Sequence, residues 1–381
     1  MSIFLLACLL NPGQVSLLGK LEIPGTASDL SGLSGKLNDG SPANLLGGIG
    51  SALASGPNPG EFYFLPDRGP GDGAADYLCR FHQAQLFLGA DGKPVFSLVK
   101  TTPLRNKNGQ AFQGLASDLK NRMDPEGLRV GPWPACVPSG QKPAGNAFYI
   151  SEEYGPKVSI FQQDGTLVMD LPTPSKLTVA KPNPDAETEL AQNKAGRQPN
   201  KGFEGLALDP EGRELWAATQ GPLIQDKKTG GGKWTRLVRY NLETGKPSGE
   251  FVYPMDSATC GISELLWVGK GSLLVLERDS FAGKEAKIKR VYLAKTGSAS
   301  DVSSLESLAD AKAPIQVMEK QLILDLLAPE LGLAGDRFPP KWEGMAWGET
   351  SGGERILWLA SDNDFDARNN SWILAFRLPL P

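Results

Sequence analysis

Short apolar runs separated by turn residues dominate the chain, and they recur in pairs. The first member of each pair is a small or acidic residue, then Gly or Glu, then an apolar residue. The copies are Ser31-Gly32-Leu33, Glu126-Gly127-Leu128, Glu204-Gly205-Leu206, Ser263-Glu264-Leu265 and Glu343-Gly344-Met345. The second member is a continuous apolar run: Phe62-Tyr63-Phe64-Leu65, Phe148-Tyr149-Ile150, Leu215-Trp216-Ala217-Ala218, Leu273-Leu274-Val275-Leu276 and Leu357-Trp358-Leu359-Ala360. These end in PDRG, SEEYG, TQGP, ERDS and SDND. Runs this short, rich in aromatic and branched residues and bounded by Gly, Pro and Asp, predict strands. A strand-built unit that returns every ~60 to 95 residues marks a radial array.

Four strands fit each of the first four units. Unit one takes them near Leu30 to Leu37, Glu61 to Pro66, Gln83 to Leu88 and Val95 to Thr101, and unit four ends on Gln316 to Leu326, read as strand with some helix. Unit five offers only Trp342 to Trp347, Arg355 to Ala360 and Trp372 to Leu378, while Val15 to Ile23 is an orphan strand ahead of unit one. Pairing that orphan with unit five closes the ring and removes exposed edges. The expected fold is an all-β, five-bladed β-propeller. Six blades are the alternative if a long insertion hides a degenerate one. Residues 14–381 then form one propeller domain, and residues 1–13 are either a degraded export signal or a frayed apolar terminus.

In a propeller blade the first strand runs down the axis from one face and the second returns to it. Loops before the first strand and after the second therefore share that face. Long insertions such as Arg68 to Arg80, Thr102 to Pro125 and Pro172 to Gly202 fall there, whereas Asn38 to Gly60 is placed on the opposite face. Lys181 to Gln198, polar and Pro-containing, reads as a mobile part of this loop-rich face, where function usually sits.

Composition narrows the field. Forty-five Gly and 30 Pro among 381 residues fit an all-β chain. A net charge of −4 offers no phosphate-neutralising surface, so nucleic acid is not an expected partner. No apolar stretch approaches the roughly 20 residues of a membrane span. The four cysteines form no CxxC pair, so a zinc site is not expected, and a disulfide among Cys79, Cys136 and Cys260 stays open. The single histidine, His82, has no G-x-S-x-G elbow to serve and reads as a packing residue.

The candidate chemistry is acidic. Glu126, Glu204, Glu264 and Glu343 begin axis-lining strands, and Asp67, Glu152, Glu153, Glu277, Asp279, Asp362 and Asp364 end their neighbours on the same face. Converging carboxylates raise one another's pKa unless a cation compensates, and an oxygen-rich cluster suits Ca2+ or Mg2+. The other use of a repeated acid is to accept backbone N–H bonds from the next blade. Asp362-Asn363-Asp364-Phe365-Asp366 is the densest oxygen cluster, with Ala367 where an EF-hand needs Gly, which leaves a strand-end ion site or an Asx-turn. Arg68, Arg278, Lys201 and Lys341 lie beside these acids and could hold an anion.

The ordered set DLSGL, FYFLPDRG, DPEGL, FYISEEYGPKVSIFQQDGTLV, FEGLALDPEG, LWAATQGP, SELLW, LLVLERD, WEGMAW and LWLASDNDF resembles the phytase-like family, described as having esterase-like activity. The resemblance runs from about Val15 to Leu378. It implies a β-propeller, often exported, hence periplasmic or extracellular, that acts as an ester or phosphoester hydrolase. By analogy with β-propeller phytases it implies Ca2+ in an acidic channel. The metal candidates are Glu126, Glu204, Glu343, Asp362 and Asp364; the catalytic candidates are Arg68, Arg278 and Glu152. The expected partner is a small anionic or ester substrate, and the expected state a monomer. The alternative is a non-catalytic propeller that binds a protein or carbohydrate on its loop-rich face through Tyr77, Tyr154, Trp234 and Phe365.

Overall fold

The computed structural model describes residues 15–115 and 121–380. Blade one is built from β2 (Ala52–Ser55), β3 (Glu61–Leu65), β4 (Arg80–Leu88) and β5 (Pro94–Pro103). Blade two is β6 (Pro125–Gly131), β7 (Ala147–Glu152), β8 (Lys157–Phe161) and β9 (Leu167–Asp170). Blade three is β10 (Phe203–Leu208), β11 (Glu214–Thr219), β12 (Trp234–Asn241) and β13 (Lys246–Pro254). Blade four is β14 (Gly261–Gly269), β15 (Ser272–Arg278), β16 (Lys289–Lys295) and β17 (Glu319–Asp325), the last a strand without helix. Blade five joins β18 (Lys341–Glu349), β19 (Arg355–Asp362) and β20 (Ser371–Arg377) to β1 (Ser16–Ile23).

There are five blades, all antiparallel, and the ring closes as the orphan strand predicts: β1 pairs with β20 from Ser16 opposite Arg377 to Ile23 opposite Ser371. The inner strands β2, β6, β10, β14 and β18 contact one another in that circular order. The apolar core is divided accordingly. Tyr149 and Ile160 of blade two pack with Leu206 and Val238 of blade three, and Leu274 and Leu293 of blade four with Trp342 and Leu359 of blade five. Similar clusters fill the other gaps. Each blade is thus buried on both faces, which is why the second strands are continuously apolar rather than alternating.

The glycine of the repeated signature is steric. A Cβ on Gly205 would lie 2.4 Å from Glu264 Cα, and one on Gly127 2.5 Å from the Glu204 carbonyl oxygen. Neighbouring inner strands approach too closely near the loop-rich end for any side chain at these places.

Blade one corrects the sequence reading. Leu30 to Leu37 is loop, with Leu30 54% exposed, and the inner strand is β2. The segment before β2 therefore belongs to the loop-rich face: Gly48 N–H donates to Asn363 Oδ1 at 2.9 Å, and Leu45 packs on Tyr77 and Phe365. The DLSGL motif is anchored there by a buried Asp29–Arg80 ion pair at 2.8 Å. Residues 181–198 are also built rather than loose. They carry the short helix Ala186–Gln192, capped by Asp185, and a buried ion pair between Arg197 and Glu189. Cys79, Cys136 and Cys260 are free thiols. The export-signal expectation for residues 1–13 lies outside the described residues. Among those described, no helix is long and apolar enough to cross a membrane.

Candidate metal and anion site at the channel mouth

The signature residues Glu126, Glu204, Ser263 and Glu343 sit in β-bulges. Trp342 faces Ser361 and Gly344 faces Ala360, so Glu343 is the extra residue between them. The same break occurs between Pro125 and Leu128, between Phe203 and Leu206, and between Ile262 and Glu264. A bulge bends the strand and re-aims the side chain at its tip. Counting back two places from Leu53, Leu128, Leu206, Leu265 and Met345 gives one ring of equivalent positions: Ser51, Glu126, Glu204, Ser263 and Glu343. The residues paired with those five are Phe64, Ile150, Ala217, Val275 and Leu359. Three places beyond them lies a second ring: Asp67, Glu153, Gln220, Arg278 and Asp362.

These rings meet at the channel mouth, in two halves of different character. In the first half, oxygens of Asp67, Asp362 and Asp364 lie within 4.8 Å of one another. Lys341 is set among them, 3.9 Å from Asp67 and 3.5 Å from Asp362, and in contact with Asp364. Burial pulls the Lys341 pKa down, but Asp362, Glu343, Asp67 and Asp364 together hold it well above the ordinary lysine value. Arg278 pairs with Glu343 beside this group.

In the second half, oxygens of Asp124, Glu126 and Glu153 also lie within 4.8 Å of one another. Arg68 pairs with Asp124 and, at 3.3 Å, with Asp72. Glu153 Oε1 accepts the Gly202 N–H at 3.1 Å, and Glu204 Oε1 accepts from Gln220 Nε2. Glu153 Oε2 and Glu204 Oε2 are buried without any partner, as are the Nε–H groups of Arg68 and Arg278. Burial, then the charge of Glu204, pushes the Glu126 pKa well up; burial and Glu153 do the same to Glu204. Burial and Asp124 raise Glu153 to about 8. This half has orphan acceptors for a cation and, with Arg278 across the mouth, orphan donors for an anion. An all-oxygen donor set fits Ca2+ or Mg2+. The Lys341 half already holds its own cation.

The predicted site residues therefore divide. Glu126, Glu204, Glu343, Asp362, Asp364, Arg68 and Arg278 all reach the mouth. Glu152 does not join them: its carboxylate accepts the N–H groups of Tyr154 at 3.1 Å and Gly155 at 2.9 Å and shapes the β7–β8 turn. Glu153 stands at the mouth instead. Asp124 is not among the residues the sequence signature marks, although it precedes the second signature by two places, where blade five has Lys341. Glu277 is spent on Tyr253 and Lys320, and Asp279 on Lys289 and three backbone N–H groups. Asp364 N–H donates to Asp362 Oδ1 at 2.7 Å, the Asx-turn geometry, and Asp366 turns outward to Arg368. His82 is fully buried, its Nδ1 2.9 Å from Thr101 Oγ1, and burial drops its pKa to about 3.

Glu264 has the other use of a repeated acid. It accepts the N–H groups of Leu206 and Leu265, each at 3.0 Å, and pairs with Arg129 at 2.9 Å. Arg129 also donates to the carbonyls of Leu53, Leu128 and Leu265. This pair crosses the channel and ties blades one, two, three and four together below the acidic mouth.

Residues 44–365 match the family described as "Phytase-like: Esterase-like activity of phytase". The chain belongs to that family. A similar protein is an "Uncharacterized secreted protein" of Arthroderma benhamiae, 25% identical over 357 residues covering 74% of this chain and 69% of the relative. Among solved structures, this phytase-like chain is similar to the Dos1 propeller, with 8% identity, 88% of this chain and 69% of that one covered, and a TM-score of 0.37. It is also similar to the luciferin-regenerating enzyme, with 12% identity, coverage of 87% and 92%, and a TM-score of 0.36.

Proposed function

We propose that this phytase-like protein is a divalent-metal-dependent ester or phosphoester hydrolase working at the acidic mouth on a small anionic or ester substrate. The observation that carries this is the pairing of orphans: the buried, partnerless oxygens of Glu153 and Glu204 beside Glu126, and the partnerless Nε–H groups of Arg68 and Arg278. Asp124, Glu126, Glu153 and Glu204 would hold the ion, Ca2+ or alternatively Mg2+. Such an ion supplies Lewis-acid polarisation and lowers the pKa of a bound water. Arg68 and Arg278 orient the anionic oxygens of the substrate through their free N–H groups. Lys341 offsets part of the charge of Asp67, Asp362 and Asp364, which lowers the repulsion an approaching anion meets. A periplasmic or extracellular monomer is part of this reading, supported by a relative described as secreted.

The rival reading of the loop-rich face as a docking surface loses most of its aromatics. Tyr77 and Phe365 are buried against each other with ring centres 4.9 Å apart, and Trp234 packs beside Val252 and Val302.

The test uses the full chain, stripped with chelator, reloaded with Ca2+ or Mg2+ and assayed on a panel of phosphomonoesters and carboxylesters. Metal-dependent turnover is expected, and Glu204→Gln should lower it by about 10²-fold or more, the scale of losing a few kcal/mol of transition-state stabilisation. Its melting temperature should hold or rise, because a neutral amide relieves carboxylate repulsion. Absence of metal-dependent turnover on every ester would overturn the proposal.

A further inference from the structure

The far end of the channel has the opposite chemistry. Below the Arg129–Glu264 pair, all five inner strands surround a cavity of about 560 Å3, a size common among small-molecule sites. Its walls are Leu208, Leu266, Val268 and Ala346, with the half-buried indoles of Trp267 and Trp347. Among the described residues no carboxylate lines it; its charged residues are Arg129 and Arg355.

Neither arginine is fully satisfied. Arg129 is 6% exposed, and its Nε–H has no acceptor. Arg355 lies over Trp347, its guanidinium carbon 3.6 Å from the ring centre. Glu349 stands opposite Arg355 across β18 and β19, yet Arg355 forms no ion pair among the described residues. Trp347 is itself fixed, its Nε1–H donating to the Trp267 carbonyl at 2.9 Å. The rim thus presents an arginine braced on an indole and lacking an anion, above an apolar chamber.

We propose that this lower cavity is a binding site for a small organic carboxylate with an apolar body: the body lies against Trp267 and Trp347, and the carboxylate meets Arg355. Cation–π support holds the guanidinium in place, so little side-chain freedom is lost on binding. The buried Arg129 Nε–H favours ligands that carry an acceptor at their inner end. Because the Arg129–Glu264 pair separates the two mouths, this site does not depend on the hydrolase reading.

Titration of intrinsic tryptophan fluorescence in the full chain, with octanoate and 1-octanol as probes, tests the charge and the apolar body separately. Octanoate should give a saturable change and bind at least about tenfold more tightly than 1-octanol. Arg355→Gln, a change at an exposed residue, should remove that preference while leaving melting temperature and any ester turnover unchanged. Val268→Trp, which fills the chamber, should weaken both probes. No saturable octanoate signal, equal affinity for the two probes, or an octanoate preference that survives Arg355→Gln would overturn the proposal.

Discussion

Arg129 does at one point what a hydrophobic core cannot do near the axis, where the inner strands leave little apolar volume. It donates to carbonyls of blades one, two and four and is neutralised by Glu264, which in turn accepts from blade three. Removing one partner of such a buried pair leaves an uncompensated charge, at a cost of about 3–5 kcal/mol. Glu264→Ala should therefore lower stability by that amount in denaturant titrations, and the double change with Arg129→Met should recover a large part of it. Equal losses in the single and the double variant would mean that packing, not charge, sets the cost. Gly205→Ala is destabilising for another reason, since its Cβ would meet the Glu264 backbone at 2.4 Å; overpacking of this kind costs about 1–3 kcal/mol. The sequence shows Ser263-Glu264 only as a signature displaced by one residue. Its meaning appears once the bulge is known, because Glu264 then occupies the place that is Gly in blades two, three and five. Glu152 and Glu153 show the same limit: adjacent acids at a strand end point to opposite sides, and only the register chooses Glu153.

The apolar runs are legible in the sequence because each second strand is buried on both sides. Blade one departs from the signature for a physical reason. Its inner strand is Ala52-Leu53-Ala54-Ser55, whose small residues fit the crowded axis yet resemble a linker, whereas Asp29-Leu30-Ser31-Gly32-Leu33 mimics the signature on an outer loop. The closing strand was legible because unit five lacked a partner and Val15 to Ile23 lacked a unit. Strand β1 supplies the whole outer edge of blade five, pairing along β20 and packing Leu17 and Leu21 at the flanks of the cores. Truncation to residue 24 should leave β20 as an unpaired edge. The expected result is a lower melting temperature and concentration-dependent association in size-exclusion chromatography. A truncated chain that stays monomeric and melts at the parent temperature would show that β1 is not what closes the ring.

The whole molecule carries its charge unevenly, and that makes its stability depend on pH and on cations in a linked way. Among the described residues, Asp67, Asp124, Glu126, Glu153, Glu204, Glu343, Asp362 and Asp364 are faced at the mouth by Arg68, Lys201, Arg278 and Lys341, with Arg197 acting on Glu153 as well. Glu153 has its pKa raised from 4.5 to about 8 by burial and by Asp124, and Glu126 and Glu204 are raised too. A carboxyl group with a raised pKa binds its proton more tightly in the folded state than in the unfolded one. Between the two pKa values the folded protein therefore holds more protons, and stability falls as pH rises, by about 1.4 kcal/mol per pH unit for each such group. For Glu153 that window runs from 4.5 to about 8. In chelator, the melting temperature should decline across this range, opposite to the acid lability of a carboxylate stabilised by an ion pair. A divalent ion competes with those protons and binds the ionised acids, so its effect should be small near the bottom of the window and large at the top. Calorimetry of the chelated and the Ca2+-loaded protein at several pH values measures both slopes. The loaded protein should lose most of the decline, and Glu126→Gln with Glu204→Gln should make it shallower without any ion, leaving the share of Glu153. If Ca2+ and Mg2+ raise the melting temperature equally at every pH, or not at all near the top of the window, the carboxyl groups of Glu126, Glu153 and Glu204 are not what the ion meets.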